Sequence, residues 1–206
     1  MSRKKKRIAP ITVPNKLVED PLLNLFLERE TLMLTINGAL NTRNRNYPIY
    51  CNTDKKKRDE FRESLRGQLN LKLEEYRAGE VQDDRHIANI KNLSYTLSRH
   101  HHEILFKGKF RIGTAQKALN LYLKYGWARG IIPEPPHCPI DSIVLKEINK
   151  YPSDARCEIC RKTWTEIDTI EEYLHFIDKA RIEANKKGQT LARWELGIWQ
   201  TATFKS

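Results

Sequence analysis

Apolar and polar positions follow one another along this chain with the period of a helix almost throughout. Leu22, Leu23, Leu25, Phe26, Leu27, Leu32, Leu34 and Ile36 crowd one stretch and predict a helix buried on more than one face, ending near Gly38. Between Asp54 and Ala78, the residues Phe61, Leu65, Leu69, Leu73 and Tyr76 fall on one side with charges elsewhere, which predicts an amphipathic surface helix stopped by Gly79. A third helix is expected from Asp83 to Leu105, with Ile87, Ile90, Leu97, His101 and Ile104 at near-helical spacing. No alternating, β-branched stretch of strand length occurs, so the expected fold class is all-α.

Phe106 to Gly113 reads as a short basic turn punctuated by Gly108 and Gly113, after which Ala115, Ala118, Leu119, Tyr122 and Leu123 set a new helix running to about Trp127. Four prolines between Gly130 and Pro139 predict a rigid, non-helical crossover. Ile140-Asp141-Ser142 then opens a helix carrying Ile143, Val144, Ile148 and Tyr151. Two C-terminal helices are expected over roughly Ile170 to Lys187 and Thr190 to Thr203, separated by Gly188. Ahead of them all, residues 1–21 combine the basic run Arg3-Lys4-Lys5-Lys6-Arg7 with Pro10, Pro14 and Pro21 and read as a flexible arm and lead-in, leaving 22–206 as a single helical domain. No internal repeat is visible.

Charge narrows the class of partner. Lys and Arg number 37 against 26 Asp and Glu, a net +11, which attracts polyanions and makes DNA the expected partner. The chain holds no 18-residue apolar run, and its first residues lack the apolar segment of a secretory signal, so neither a membrane nor export is expected. The expectation is a monomer in the cytoplasm, associated with the nucleoid. In that reducing setting Cys51, Cys138, Cys157 and Cys160 are read as thiols or metal ligands rather than as a disulfide framework.

A helix that begins directly after a glycine turn can present unpaired N–H groups and the positive end of its dipole to a backbone phosphate. Lys107, Gly108, Lys109, Arg111, Gly113 and Thr114 are therefore the candidate DNA contacts. The glycine turn, then Gln116-Lys117-Ala118-Leu119-Asn120, then Cys138-Pro139-Ile140-Asp141 after a crossover resemble, in that order, the hairpin and catalytic segment of the helix-hairpin-helix DNA glycosylase superfamily. The resemblance spans Phe106 to Tyr151 and is nearest the 8-oxoguanine-type branch. It implies a two-lobed helical fold, with Lys117 as the amine nucleophile and Asp141 as the catalytic carboxylate. Counted strictly from Gly113, however, the usual place of the family lysine falls on Ala115. In that register Lys117 is a surface or phosphate-binding lysine and the enzyme is monofunctional.

These residue types suit base excision. Breaking a base–sugar bond leaves positive charge on the deoxyribose, which a carboxylate stabilises, and a desolvated lysine can attack the sugar as a free amine to give a Schiff base and strand cleavage. Asp141 could also simply cap the helix starting at Ser142. An extracted base needs aromatic and polar walls. Gln116, Tyr125 and Trp127 are the chief candidates, with Tyr122, Phe106, Trp194 and Trp199 behind them.

Consecutive helical residues point in different directions, so His100-His101-His102 cannot all chelate one ion and reads as phosphate-contacting or plain surface. No cofactor is expected beyond a structural zinc. Cys157-Glu158-Ile159-Cys160 has chelating spacing, and Cys138, His137 or His175 could complete a site; the alternative is two reduced thiols. Competing with the glycosylase are a non-catalytic hairpin module that binds duplex DNA and a zinc-stabilised nuclease or adaptor, for which no hydrolytic metal cluster can be assembled by spacing.

Overall fold

The computed structural model describes residues 20–42, 44–150 and 157–204. The basic arm, up to residue 19, and Tyr151 lie outside them. The described residues form seven α-helices and no strand: α1 (Pro21–Leu40), α2 (Lys55–Arg77), α3 (Asp83–His101), α4 (Ile112–Ala128), α5 (Ser142–Ile148), α6 (Ile170–Lys186) and α7 (Leu191–Thr203). The all-α expectation is met. No helix is long and apolar enough to cross a membrane.

Local chemistry sets the helix starts. Asp20 caps α1, accepting from Leu22 N and Leu23 N, and Pro21 sits at the first helical position, where its missing N–H costs nothing. Pro21 thus belongs to α1 rather than to the lead-in. Asp54 and Thr169 cap α2 and α6 in the same way. Gly38 does not end α1, which runs through it to Leu40.

The expectation that α1 is buried on several faces is also corrected. Leu32, Ile36, Ala39 and Leu40 are buried, while Leu22, Phe26 and Leu34 remain exposed, because α1 packs on α4 and α2 along one stripe only. α3 ends four residues earlier than expected, since Leu105 leaves the helix to bridge Tyr50.

α4 is the axis of the molecule. α1, α2 and α3 pack against it, α6 reaches it from the other end of the chain, and α5 packs on α6 and α7. Its buried residues, among them Ala115, Ala118, Leu119, Tyr122 and Leu123, belong to one continuous apolar cluster that takes in Phe61, Leu69, Ile90, Phe176 and Trp194 from neighbouring helices. Burial on this scale is the main favourable term holding the helices together.

Candidate active site

The proline-rich crossover is clamped to α4 by two amide side chains one helical turn apart. Gln116 donates through Nε2 to Gly113 O (2.9 Å) and Ile140 O (2.7 Å), and its Oε1 accepts from Ile140 N at 3.0 Å. Asn120 Nδ2 donates to Cys138 O and to Tyr173 Oη, each at 3.0 Å. Tyr173 Oη in turn meets His137 Nδ1 at 2.8 Å, and His137 faces Asp83 and Arg181. Backbone polar groups in a buried, non-helical segment need partners, and these side chains supply them for Ile140 N, Ile140 O and Cys138 O. Gln116 is wholly buried and fully engaged, so its expected place in a base pocket is corrected: it positions the segment carrying Asp141.

With the crossover fixed, Asp141 stands at the start of α5 and caps it, Oδ1 accepting from Ile143 N (2.8 Å) and Val144 N (3.1 Å). The capping reading of Asp141 is therefore true. It uses one oxygen; Oδ2 takes no hydrogen bond among the described residues. Asp141 also lines a cavity of about 210 Å³ together with Lys117, Lys124, Tyr125, Glu195 and Trp199. Lys117, Leu121 and Lys124 reach this cavity because they recur at i, i+4 and i+7 on one face of α4, and Glu195 and Trp199 because they are one turn apart on α7.

Lys117 is half-buried, with its ammonium 4.0 Å from the centroid of the Trp164 ring. Burial pulls its pKa below the ordinary lysine value, and the Asp141 charge opposes that pull. Lys117 also opens onto a second, larger groove of about 860 Å³, whose lining includes Asn44, Lys146, Arg161, Lys162 and Trp164. It is shared by the two: an acid-bearing cavity on one side and a cation-rich groove on the other.

The floor of the small cavity was not foreseen from the sequence. Lys124 and Glu195 form a buried ion pair at 2.8 Å, with the Lys124 ammonium 4.9 Å from the Trp199 ring centroid. Glu195 Oε2 lies equally close to that ammonium but out of line for a hydrogen bond. Burial raises the Glu195 carboxyl above its usual range, and Lys124 counters it. The available signal was the seven-residue spacing of Lys124 from Lys117, with Lys124 set among apolar neighbours.

The basic turn divides. Lys107 and Lys109 are exposed, Lys107 lying over the rings of Tyr47 and Phe106 and Lys109 paired with Asp168 at 2.9 Å. Lys107 and Gly108 both adopt positive φ, at 54° and 69°, a conformation that suits glycine and tightens the turn. Arg111, Gly113 and Thr114 are buried, which corrects their expected role as phosphate contacts. The Arg111 guanidinium donates to Thr165 O, Tyr47 O and Pro48 O, and Gly113 N donates to Ile167 O at 2.9 Å. The N-terminus of α4 is thus covered by the 157–168 segment.

Of the aromatic candidates, Tyr125 and Trp199 line the cavity. Trp127 packs under Arg193, Trp194 is core, and Tyr122 donates to Asn70 at 2.7 Å, so these are corrected to structural roles. His101 bonds Ser64 while His100 and His102 face solvent, in keeping with their diverging directions.

Among the described residues, one grouping could hold a metal ion: Cys157, Cys160 and His175. Cys138 is wholly buried away from it and is not a ligand. The sulfurs of Cys157 and Cys160 lie at disulfide distance from each other, the 3-10 turn Ile159–Arg161 bringing their Cα atoms to 5.3 Å.

Comparison of the chain with protein-family models, with curated proteins and with solved structures gives no match.

Proposed function

We propose that this protein is a DNA glycosylase that excises a damaged or modified base, with Asp141 as the carboxylate and Lys117 as the amine. The observation that carries the proposal is that Lys117 and Asp141, on different helices, line one small cavity, and that Lys117 also lines a neighbouring basic groove. A volume of about 210 Å³ falls below the range of about 300–1,000 Å³ typical of drug-sized pockets and suits a single flat base. The groove would take the DNA backbone, with Lys146 and Lys162 beside Lys117, and the base would enter between Tyr125 and Trp199 to meet the Lys124–Glu195 pair.

In the reaction, the Lys117 amine attacks the sugar carbon as the base departs with the electrons of the glycosidic bond. The amine loses its proton and the departing base gains one. Asp141 Oδ2 stabilises the positive charge that develops on the sugar. Burial of Lys117 favours the neutral amine this step needs. A hydrolytic route, with Asp141 activating water and Lys117 holding phosphate, uses the same cavity and differs in leaving no Schiff base.

The alternative, a non-catalytic DNA-binding protein, draws on the capping role of Asp141. The test is to incubate the protein with DNA carrying diverse base lesions and modifications, including 8-oxoguanine duplexes and hypermodified phage genomes. Released bases are identified by mass spectrometry. Release that disappears in Asp141→Asn is the expected result. Salt-sensitive DNA binding with no release from any substrate would establish the binding module instead.

A further inference from the structure

We propose that the reduced Cys157–Cys160 pair and His175 form a zinc site that fixes the groove-lining segment to α6. His175 Nε2 lies 3.6 Å from Cys157 Sγ and 3.4 Å from Cys160 Sγ. Zinc–sulfur and zinc–nitrogen bonds of about 2.3 Å and about 2.0 Å at the tetrahedral angle set sulfur and nitrogen about 3.5 Å apart. Both observed separations match that edge; the two sulfurs, at disulfide distance here, part to about 3.8 Å when reduced and bound to the ion.

The backbone supports the same assignment. Cys160 N points at Cys157 Sγ at 3.3 Å, so the turn aims an N–H at the sulfur, which favours the thiolate a metal needs. Lys179, one helical turn beyond His175 on α6, donates to Cys160 Sγ at 2.7 Å and favours the second thiolate. Two thiolates neutralise a divalent ion, so the ammonium meets no net positive charge at the site. All three ligand residues are partly exposed, which gives the ion an entry path and leaves the fourth position to water.

The site has a structural consequence. The residues after Cys160 carry Lys162, Thr163 and Trp164, which line the groove beside Lys117, and Ile167 O, which receives Gly113 N. A metal holding Cys157 and Cys160 to α6 anchors this stretch at its start.

The full chain, purified under thiol reductant without chelator, is assayed for metal by plasma mass spectrometry. One zinc per chain is expected, and its loss in a Cys157→Ser/Cys160→Ser variant and weakening in His175→Asn. Because the variants could fold poorly, cobalt is also titrated into the metal-stripped wild-type chain. Intense tetrahedral and sulfur-to-cobalt absorption bands are expected. A metal-free reduced protein without those bands, a Cys157–Cys160 disulfide that persists under reductant, or zinc retained by the double serine variant would each overturn the proposal. Metal content is read without any base-release assay, so this outcome is independent of the glycosylase proposal.

Discussion

The Trp164 indole roofs the Lys117 ammonium at 4.0 Å, and the glycine one turn earlier on α4 is what lets it do so. A Cβ on Gly113 would lie 1.8 Å from the Trp164 carbonyl oxygen, so no other residue lets that backbone seat against the helix. Gly113→Ala is therefore expected to destabilise the protein by about 3 kcal/mol or more, because backbone rather than a flexible side chain must move. Gly67, in the middle of α2 with open space where a Cβ would sit, gives the opposite sign. Gly67→Ala should stabilise by about 0.5–1 kcal/mol, since it removes conformational entropy from the unfolded chain. Chemical denaturation of the two variants checks both; a neutral Gly113→Ala would refute the close packing of the 157–168 segment on α4.

Under the proposed function Asp141 would have two roles, as the cap of α5 and as the catalytic carboxylate, and two substitutions separate them. Asparagine caps helices about as well as aspartate, whereas alanine costs about 1 kcal/mol. Asp141→Asn should thus keep wild-type stability while base release falls by about a hundredfold or more, the usual scale for losing a charge-stabilising group. Asp141→Ala should lose both. If Asp141→Asn released base at the wild-type rate, the carboxylate would be a cap alone.

Under the proposed function Lys117 would decide which chemistry follows base loss. Lys117→Gln should abolish borohydride trapping of the enzyme on DNA and strand cleavage, while base release by a water-dependent route could survive through Asp141. The folded-state pKa of Lys117 lies below its unfolded value, so the cost of burying the ammonium is fully present below the folded pKa and is relieved as pH rises toward the ordinary lysine range. Trapping should accordingly rise with pH as the amine becomes neutral. Trapping that persists in Lys117→Gln would assign the nucleophile elsewhere.

How much of this was legible in the sequence depends on the kind of signal. Helices whose apolar residues repeat at one spacing, such as α2 with Phe61, Leu65, Leu69 and Leu73, could be drawn almost to their observed ends. Lys117 and Asp141 came from a motif resemblance, and the fold brings them to one cavity. What periodicity could not show was the cover over the basic turn. Arg111 and Gly113 look like phosphate contacts until the 157–168 segment, distant in sequence, supplies Thr165 O and Ile167 O as their partners. Gln116 likewise reads as a polar wall of a pocket, because nothing local reveals that Ile140 occupies both ends of its amide. Such roles are set by tertiary hydrogen bonds and leave no local pattern.

Acid should unfold this protein through histidines rather than through its ion pairs. His86 is wholly buried, its ring 4.5 Å from that of His137 and its Nδ1 2.6 Å from Tyr76 Oη, and burial drops its pKa from 6.5 to about 3. Burial also lowers His137, against the pull of Asp83. A depressed folded pKa means that the unfolded chain takes up a proton the folded chain refuses, so stability is intact above pH 6.5 and is lost as pH falls toward 3. His86 alone should remove about 3 kcal/mol between about pH 7 and about pH 4. Asp83, held down to about 2 mainly by its hydrogen bond with His137 and further by Arg181, adds its loss only in a lower window, from 3.8 downward. His86→Gln keeps an acceptor for Tyr76 and cannot titrate, so its denaturation midpoint should be flatter than wild type across the His86 window and still fall below it. A wild-type midpoint that stayed level from neutral pH to about pH 4 would mean that the His86 ring is reached by solvent and that the polar network holding the crossover is open.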